Sequence, residues 1–236
     1  MSNCVVCQRN FFQEISVHSL FTPKKESVCE ACRKQLIHCN GCKRCRKPNR
    51  FGPFIEQECG DCIRWRKLLA VDYLDKNISL YEYNDFLKTL LSHYKYRGDV
   101  AIGHIFTFSL QAVICDHFND YVVTTIPLSE KRVEERGFNQ ADELIKGIGI
   151  HQCLTRNIGK DDRKQSKKTR YERISLVKQN PFNLVEEEKS FIKGKKYLII
   201  DDIYTTGVTV RMAAKTLLEA GAERVSSLTV ARAIKG

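Results

Sequence analysis

Two aspartates stand side by side at positions 201 and 202, where the apolar run "KYLIIDD" ends and the turn "IYTTGVT" begins. Charges at the mouth of a core strand are costly unless something binds them. Paired carboxylates accept hydrogen bonds from hydroxyls or ligate a cation, and they repel phosphate. The turn has the opposite preference. Thr205, Thr206 and Thr209 carry hydroxyls, Gly207 permits a tight backbone, and a helix starting at Val208 or Thr209 presents free N–H groups. That combination is an anion cradle of phosphate size. A sugar phosphate satisfies both halves, with hydroxyls on Asp201 and Asp202 and phosphate on the loop.

A second constellation lies at the other end of the chain. Nine of the eleven cysteines fall in the first 62 residues. Eight form C-x-x-C pairs: Cys4 and Cys7, Cys29 and Cys32, Cys42 and Cys45, Cys59 and Cys62. Each pair brings two thiolates to one tetrahedral ion, so the eight fill two closed, structural zinc sites with no open position for catalysis. Free or redox-active cysteines are the competing reading. Sequential pairing gives two ribbons and interleaved pairing a cross-brace. The sequential form is preferred because each ribbon closes a local loop. His38 and Cys39 are alternative ligands, and neither is expected to serve.

These groups need elements to hold them. Composition shifts near residue 67, which divides the chain into a cysteine-rich, zinc-ribbon-like region (1–67) and an α/β domain (68–236). In the second part "NDFLKTLLSHYKY" and residues 101–117 read as helices, and "YVVTTIP" as a buried strand stopped by Pro127. "NQADELIKGIGI" reads as a helix beginning near Asn139. Residues 155–190 lack periodicity and read as loop. "KYLIIDD" is a continuous apolar strand, "VTVRMAAKTLLEAG" a helix closed by Gly221, and "RVSSLTVAR" a last strand. Strands alternating with helices predict a parallel sheet covered on both faces, whose ligands sit beyond the carboxyl ends of the strands. The segment after Pro127, with Ser129, Lys131, Arg132 and Arg136, is expected as a loop facing the phosphate cradle. Ordinary surface charge is the other reading of its arginines.

Formal net charge is +11. Two zinc–tetrathiolate sites would lower that to about +7. The excess fits nucleic acid or phosphorylated ligands, or simply a basic surface. Lys43, Arg44, Arg46, Lys47 and Arg50 crowd around Cys45, with Phe51, Phe54 and Trp65 close by. Basic and aromatic side chains so interleaved suit single-stranded nucleic acid; a solvated finger offsetting its own thiolates is the alternative. Seven basic and three acidic residues fall between Lys160 and Arg173, fitting a hood, a DNA-contacting loop or a plain surface loop. No secretory leader and no membrane span are read, so a reducing cytoplasm is the expected setting.

"YLIIDDIYTTGVT" resembles the signature of type I phosphoribosyltransferases. The resemblance implies that Asp201 and Asp202 form the acidic, catalytic pair contacting ribose hydroxyls. It implies further that Tyr204, Thr205, Thr206, Gly207, Val208 and Thr209 hold the 5′-phosphate of phosphoribosyl pyrophosphate (PRPP), with Mg²⁺ accompanying the pyrophosphate. "IPLSEKRVEERGFNQA" and "KQSKKTRYERISLVKQNPF" are similar to segments of the ComF family, in which cysteine knuckles precede a phosphoribosyltransferase-like domain. That resemblance covers nearly the whole chain. It implies a role in natural transformation, handling incoming single-stranded DNA, with the competence helicase and other DNA-uptake proteins as partners. An active Mg²⁺-dependent phosphoribosyltransferase acting on a base or nucleotide is the alternative. No base-reading pocket is legible, and no DNA-reading helix pair supports a zinc-ribbon transcription factor.

Overall fold

A computed structural model describes residues 1–12, 27–69, 71–97, 100–156 and 180–234. The basic segment from Lys160 to Arg173 lies outside them. The elements run in the order β1 (Ser2–Asn3), β2 (Asn10–Phe11), α1 (Glu30–Arg33), β3 (Phe54–Ile55), β4 (Glu58–Cys59), α2 (Gly60–Leu68), β5 (Asn77–Glu82), α3 (Asp85–Arg97), α4 (Val100–His117), β6 (Val122–Thr125), α5 (Glu130–Arg136), α6 (Gln140–Leu144), β7 (Leu154–Arg156), β8 (Phe182–Leu184), a 3₁₀ turn (Glu186–Glu188), α7 (Lys189–Ile192), β9 (Lys196–Tyr204), α8 (Val208–Glu219) and β10 (Arg224–Arg232).

The sheet has the order β5-β10-β9-β6 and every pairing in it is parallel. Strand β9 is central, and Tyr197 to Ile200 are wholly buried, as a continuous apolar run requires. Side chains alternate across it. Leu198 and Ile200 face α3, α4 and α6, while Tyr197 and Ile199 face α8, β8 and the second half of the cysteine-rich region. The two-faced α/β architecture is therefore the one expected.

Several elements differ from the sequence-based expectations. Residues 155–190, expected as loop, hold most of β7, all of β8, the 3₁₀ turn and the start of α7, and α6 stops at Leu144 rather than running through to Ile150. Strand β9 runs through Asp201 and Asp202 to Tyr204, because β10 keeps pairing with it as far as Arg232. The segment after Pro127 is a short helix, α5, with Ser129 as its N-cap residue, rather than a loop. Strand β5 had no counterpart in the sequence reading. All six of its residues are buried, but Asn77 and Ser79 are polar. They are satisfied across the sheet: Ser227 donates to Asn77 Oδ1 (2.9 Å), and the Ser79 and Thr229 hydroxyls lie 2.8 Å apart. This polar ladder hides a core strand behind an unremarkable composition.

The cysteines gather in the sequential pairing: Cys4, Cys7, Cys29 and Cys32 in one group, Cys42, Cys45, Cys59 and Cys62 in the other. His38 and Cys39 belong to neither. They extend the sheet edge instead, the Cys39 N–H donating to the Leu80 carbonyl at 2.9 Å and the His38 ring lying 4.7 Å from that of Tyr81.

Candidate functional site

The carboxyl ends of β6 and β9 and the start of α8 enclose a cleft of about 430 Å³. Eight of the expected residues line it: Asp201, Asp202, Thr205, Thr206, Val208 and Thr209 from one wall, Arg132 and Arg136 of α5 from another. Three do not. Gly207 is buried within the turn. The Tyr204 ring is buried on the far side of β9, where its hydroxyl accepts from Arg211 Nη1 at 2.7 Å. Ser129 is buried, and its Oγ has no partner among the described residues.

The cleft also contains groups the sequence did not single out. Lys95 of α3 contacts the Asp202 carboxylate, and Arg156 comes from β7. Lys95 sits more than a hundred positions before the acid pair, so only the fold reveals their meeting. With Arg132 and Arg136, four cationic side chains face two carboxylates, a balance suited to an anion bearing hydroxyls.

Each wall has a local cause. Helix α5 ends at Gly137, whose φ of +76° is left-handed. The chain turns there, and Asn139 starts α6 by accepting from the Ala141 N–H at 3.1 Å while its amide donates to the Ile126 carbonyl at 3.2 Å. Arg136 is oriented over this turn by donating to Gln140 Oε1 at 2.6 Å. The run "RGFNQA" is thus a turn with its own cap, built to hold an arginine at the rim. On the other wall, Gly207 (φ +78°) is the N-cap of α8, and no side chain caps that helix. The first N–H groups of α8 therefore have no side-chain acceptor, and they carry the positive end of the helix dipole.

Asp201 is electrostatically poised. Burial, and then the neighbouring Asp202 charge, push its carboxyl up to about 7; the Asp202 N–H, Lys95 and Arg156 pull the other way. A carboxylate whose folded pKa is raised destabilises the folded chain once ionised, so the penalty grows as pH rises from about 4 towards 7. Asp201→Asn keeps an oxygen for the Asp202 N–H (2.9 Å) and removes the charge. It should stabilise the ligand-free chain at pH 8 by on the order of 1–3 kcal/mol, and by nearly nothing at pH 4, in denaturant titrations at the two pH values.

The cysteine groups pass a geometric test for zinc. Four sulfurs at about 2.3 Å from one ion lie about 3.8 Å apart. Here Cys42–Cys62 and Cys45–Cys59 are separated by 3.7 and 3.6 Å, and Cys7–Cys29 by 3.7 Å. In each group all four sulfurs lie within 4.8 Å of one another. The second group is fully buried in the core that also contains Tyr204 and Val208.

The basic side chains around Cys45 are largely ion-paired, with Lys43, Arg50 and Arg66 still half exposed. Arg44 pairs with Asp72 (3.2 Å), Lys47 with Asp61 (3.5 Å), Arg50 with Glu82, and Lys43 and Arg66 with Glu58 at 3.9 and 3.3 Å. Trp65, expected as a stacking platform, is buried against Arg211 and unavailable to a base. Arg64 and Lys67 are exposed as well. Among the described residues no helix is long and apolar enough to cross a membrane.

The model of the phosphoribosyl transferase domain matches residues 133–236, which include the acid pair, the turn and α8. Competence protein ComFC of Bacillus subtilis (strain 168) is 36% identical over 97% of this chain and 94% of its own. The chain belongs to the ComFC family. ComFC of Streptococcus pneumoniae (R6) is 30% identical over 97% of this chain and 99% of its own. Competence protein F of Haemophilus influenzae is 24% identical over 89% and 92%. Both ComFC relatives align with the cysteine-rich region and the sheet together, so the family is defined across the two regions.

Proposed function

We propose that this ComFC-family protein binds PRPP with Mg²⁺ in the cleft and serves natural transformation by handling single-stranded DNA in the cytoplasm. One observation carries the ligand reading: the acid pair, the uncapped turn and four cationic side chains converge on one cleft. Asp201 and Asp202 take the ribose hydroxyls. Thr205, Thr206, Thr209 and the N–H groups around Val208 take the 5′-phosphate, and Arg132 and Arg136 the pyrophosphate. Magnesium, when bound, neutralises pyrophosphate charge. The DNA role draws on the names of the relatives, the net charge of +11 and the exposed Arg64 and Lys67. Partners in this role are the competence helicase and other DNA-uptake proteins.

A second reading is an active phosphoribosyltransferase, favoured by the perturbed carboxyl of Asp201 beside the ribose position, since shifted groups in clefts often serve catalysis. Pyrophosphate release from PRPP with a panel of bases tests it. For binding, the purified protein is titrated with labelled single-stranded DNA at two salt concentrations, with and without PRPP and Mg²⁺. Binding that weakens as salt rises is expected through counterion release; no binding at low salt would refute the DNA role. Asp202→Asn should reduce PRPP affinity at least a hundredfold by calorimetry while the thermal transition stays within a few degrees. Unchanged affinity would displace the ligand site from Asp202.

A further inference from the structure

The back of the phosphate turn is held by the second cysteine group. Trp65 Nε1 donates to the carbonyl of Thr206 at 2.8 Å. Arg232 Nη1 donates to the carbonyl of Thr205 at 2.7 Å. Arg211 Nη1 reaches the carbonyl of Gly207 at 3.4 Å, with its guanidinium 4.5 Å from the Trp65 ring. Three consecutive carbonyls are thus drawn to one side. A trans peptide points its N–H opposite to its carbonyl, and none of the described peptides is cis. Fixing the carbonyls of residues 205 to 207 therefore turns the N–H groups of Thr206, Gly207 and Val208 the other way, towards the cleft.

The donors lead back to the thiolates. Helix α2 takes Cys59 as its N-cap residue and carries Cys62 in its first turn, and Trp65 lies three residues on, on the same face. A nine-residue helix does not hold itself in water, so its start depends on what the two cysteines bind. Arg232 is buried, and its Nη2 lies 3.7 Å from Cys45 Sγ and 3.6 Å from Asp61. A zinc–tetrathiolate carries about −2, so a metal bound there would add to the Asp61 charge in holding this guanidinium in place.

We infer that the metal at Cys42, Cys45, Cys59 and Cys62 presets the phosphate turn through Trp65 and Arg232, which are positioning residues for the 5′-phosphate of the ligand. The inference rests on the sugar-phosphate reading of the cleft, and its structural half can be tested without any ligand. Trp65→Phe keeps an aromatic ring beside Arg211 and removes the N–H donor together with part of the buried indole. Zinc content, measured by elemental analysis, should stay at two per chain. Backbone order parameters of residues 205–207, from ¹⁵N relaxation of the free protein, should fall, and affinity for ribose 5-phosphate should fall about five- to tenfold, the equivalent of one hydrogen bond. Affinity for magnesium pyrophosphate, held by the opposite wall, should not change. A general loosening of the fold would weaken both ligands alike and overturn the inference, as would unaltered order parameters at residues 205–207. Lowered order in the variant of a protein whose wild type binds neither ligand would uphold the coupling and refute the sugar-phosphate reading.

Discussion

Gly207→Ala is expected to abolish binding of a phosphorylated ligand and to destabilise the chain by about 2–4 kcal/mol. Two independent costs combine. The backbone at this position is left-handed (φ +78°), which an alanine adopts only under strain. An added Cβ would also lie 2.2 Å from the Tyr204 hydroxyl and 2.4 Å from Arg211 Nη1. Both groups are buried and bonded to each other, so neither can withdraw without leaving a polar atom unpaired. The turn must move instead, and it is the turn that would meet the phosphate. Denaturant unfolding reports the stability loss, and calorimetry with PRPP and Mg²⁺ reports the binding loss. A variant as stable as the wild type would contradict the packing described around the turn.

Arg211→Ala should cost more, about 3–5 kcal/mol, the range found when one member of a buried ion pair is removed. The Arg211 side chain is 2% exposed and that of Asp72 4%; Nε and Nη2 donate to the two Asp72 oxygens at 2.9 and 3.0 Å. Truncation leaves Asp72 with Arg44, 3.2 Å away, as its remaining cation, and strips the Tyr204 hydroxyl and the Trp65 ring of their shared neighbour. Arg211→Lys restores the charge but not the two-pronged geometry, so it should recover only part of the stability. The thermal transition of the three proteins gives the ranking: wild type above Lys above Ala.

The site was legible in the sequence where its residues are neighbours in the chain. Asp201 to Thr209 form one strand end, one turn and one helix start, and local patterning is enough to read them. The same is true of the C-x-x-C pairs, whose spacing marks them as candidate metal ligands before any fold is known, and whose sulfurs gather in two groups of four. Legibility stopped where meaning depends on distant partners. Lys95 looks like any helix-surface lysine until α3 brings it to Asp202. Trp65 among arginines has the composition of a nucleic-acid platform, but its ring serves as the seat of Arg211. Tyr204 sits inside the signature and faces away from the cleft, because the strand continues through it and side chains alternate across a sheet. Strand β5 was concealed by polar residues whose partners are 150 positions away.

That last separation also dictates a timetable. The chain is made from its N-terminus, and β5 can find its place only after β10, the last strand, has been synthesised. Until then α3 and α4 have no finished sheet to cover, and contacts of such long range make closure slow. The group of Cys42, Cys45, Cys59 and Cys62 works under no such delay, for its ligands span 21 residues and are complete early. A metal bound there, as proposed, would organise the floor on which the turn at residues 205–207 rests while that turn is still unmade. The turn and the strand behind it arrive last and close against a surface already in place.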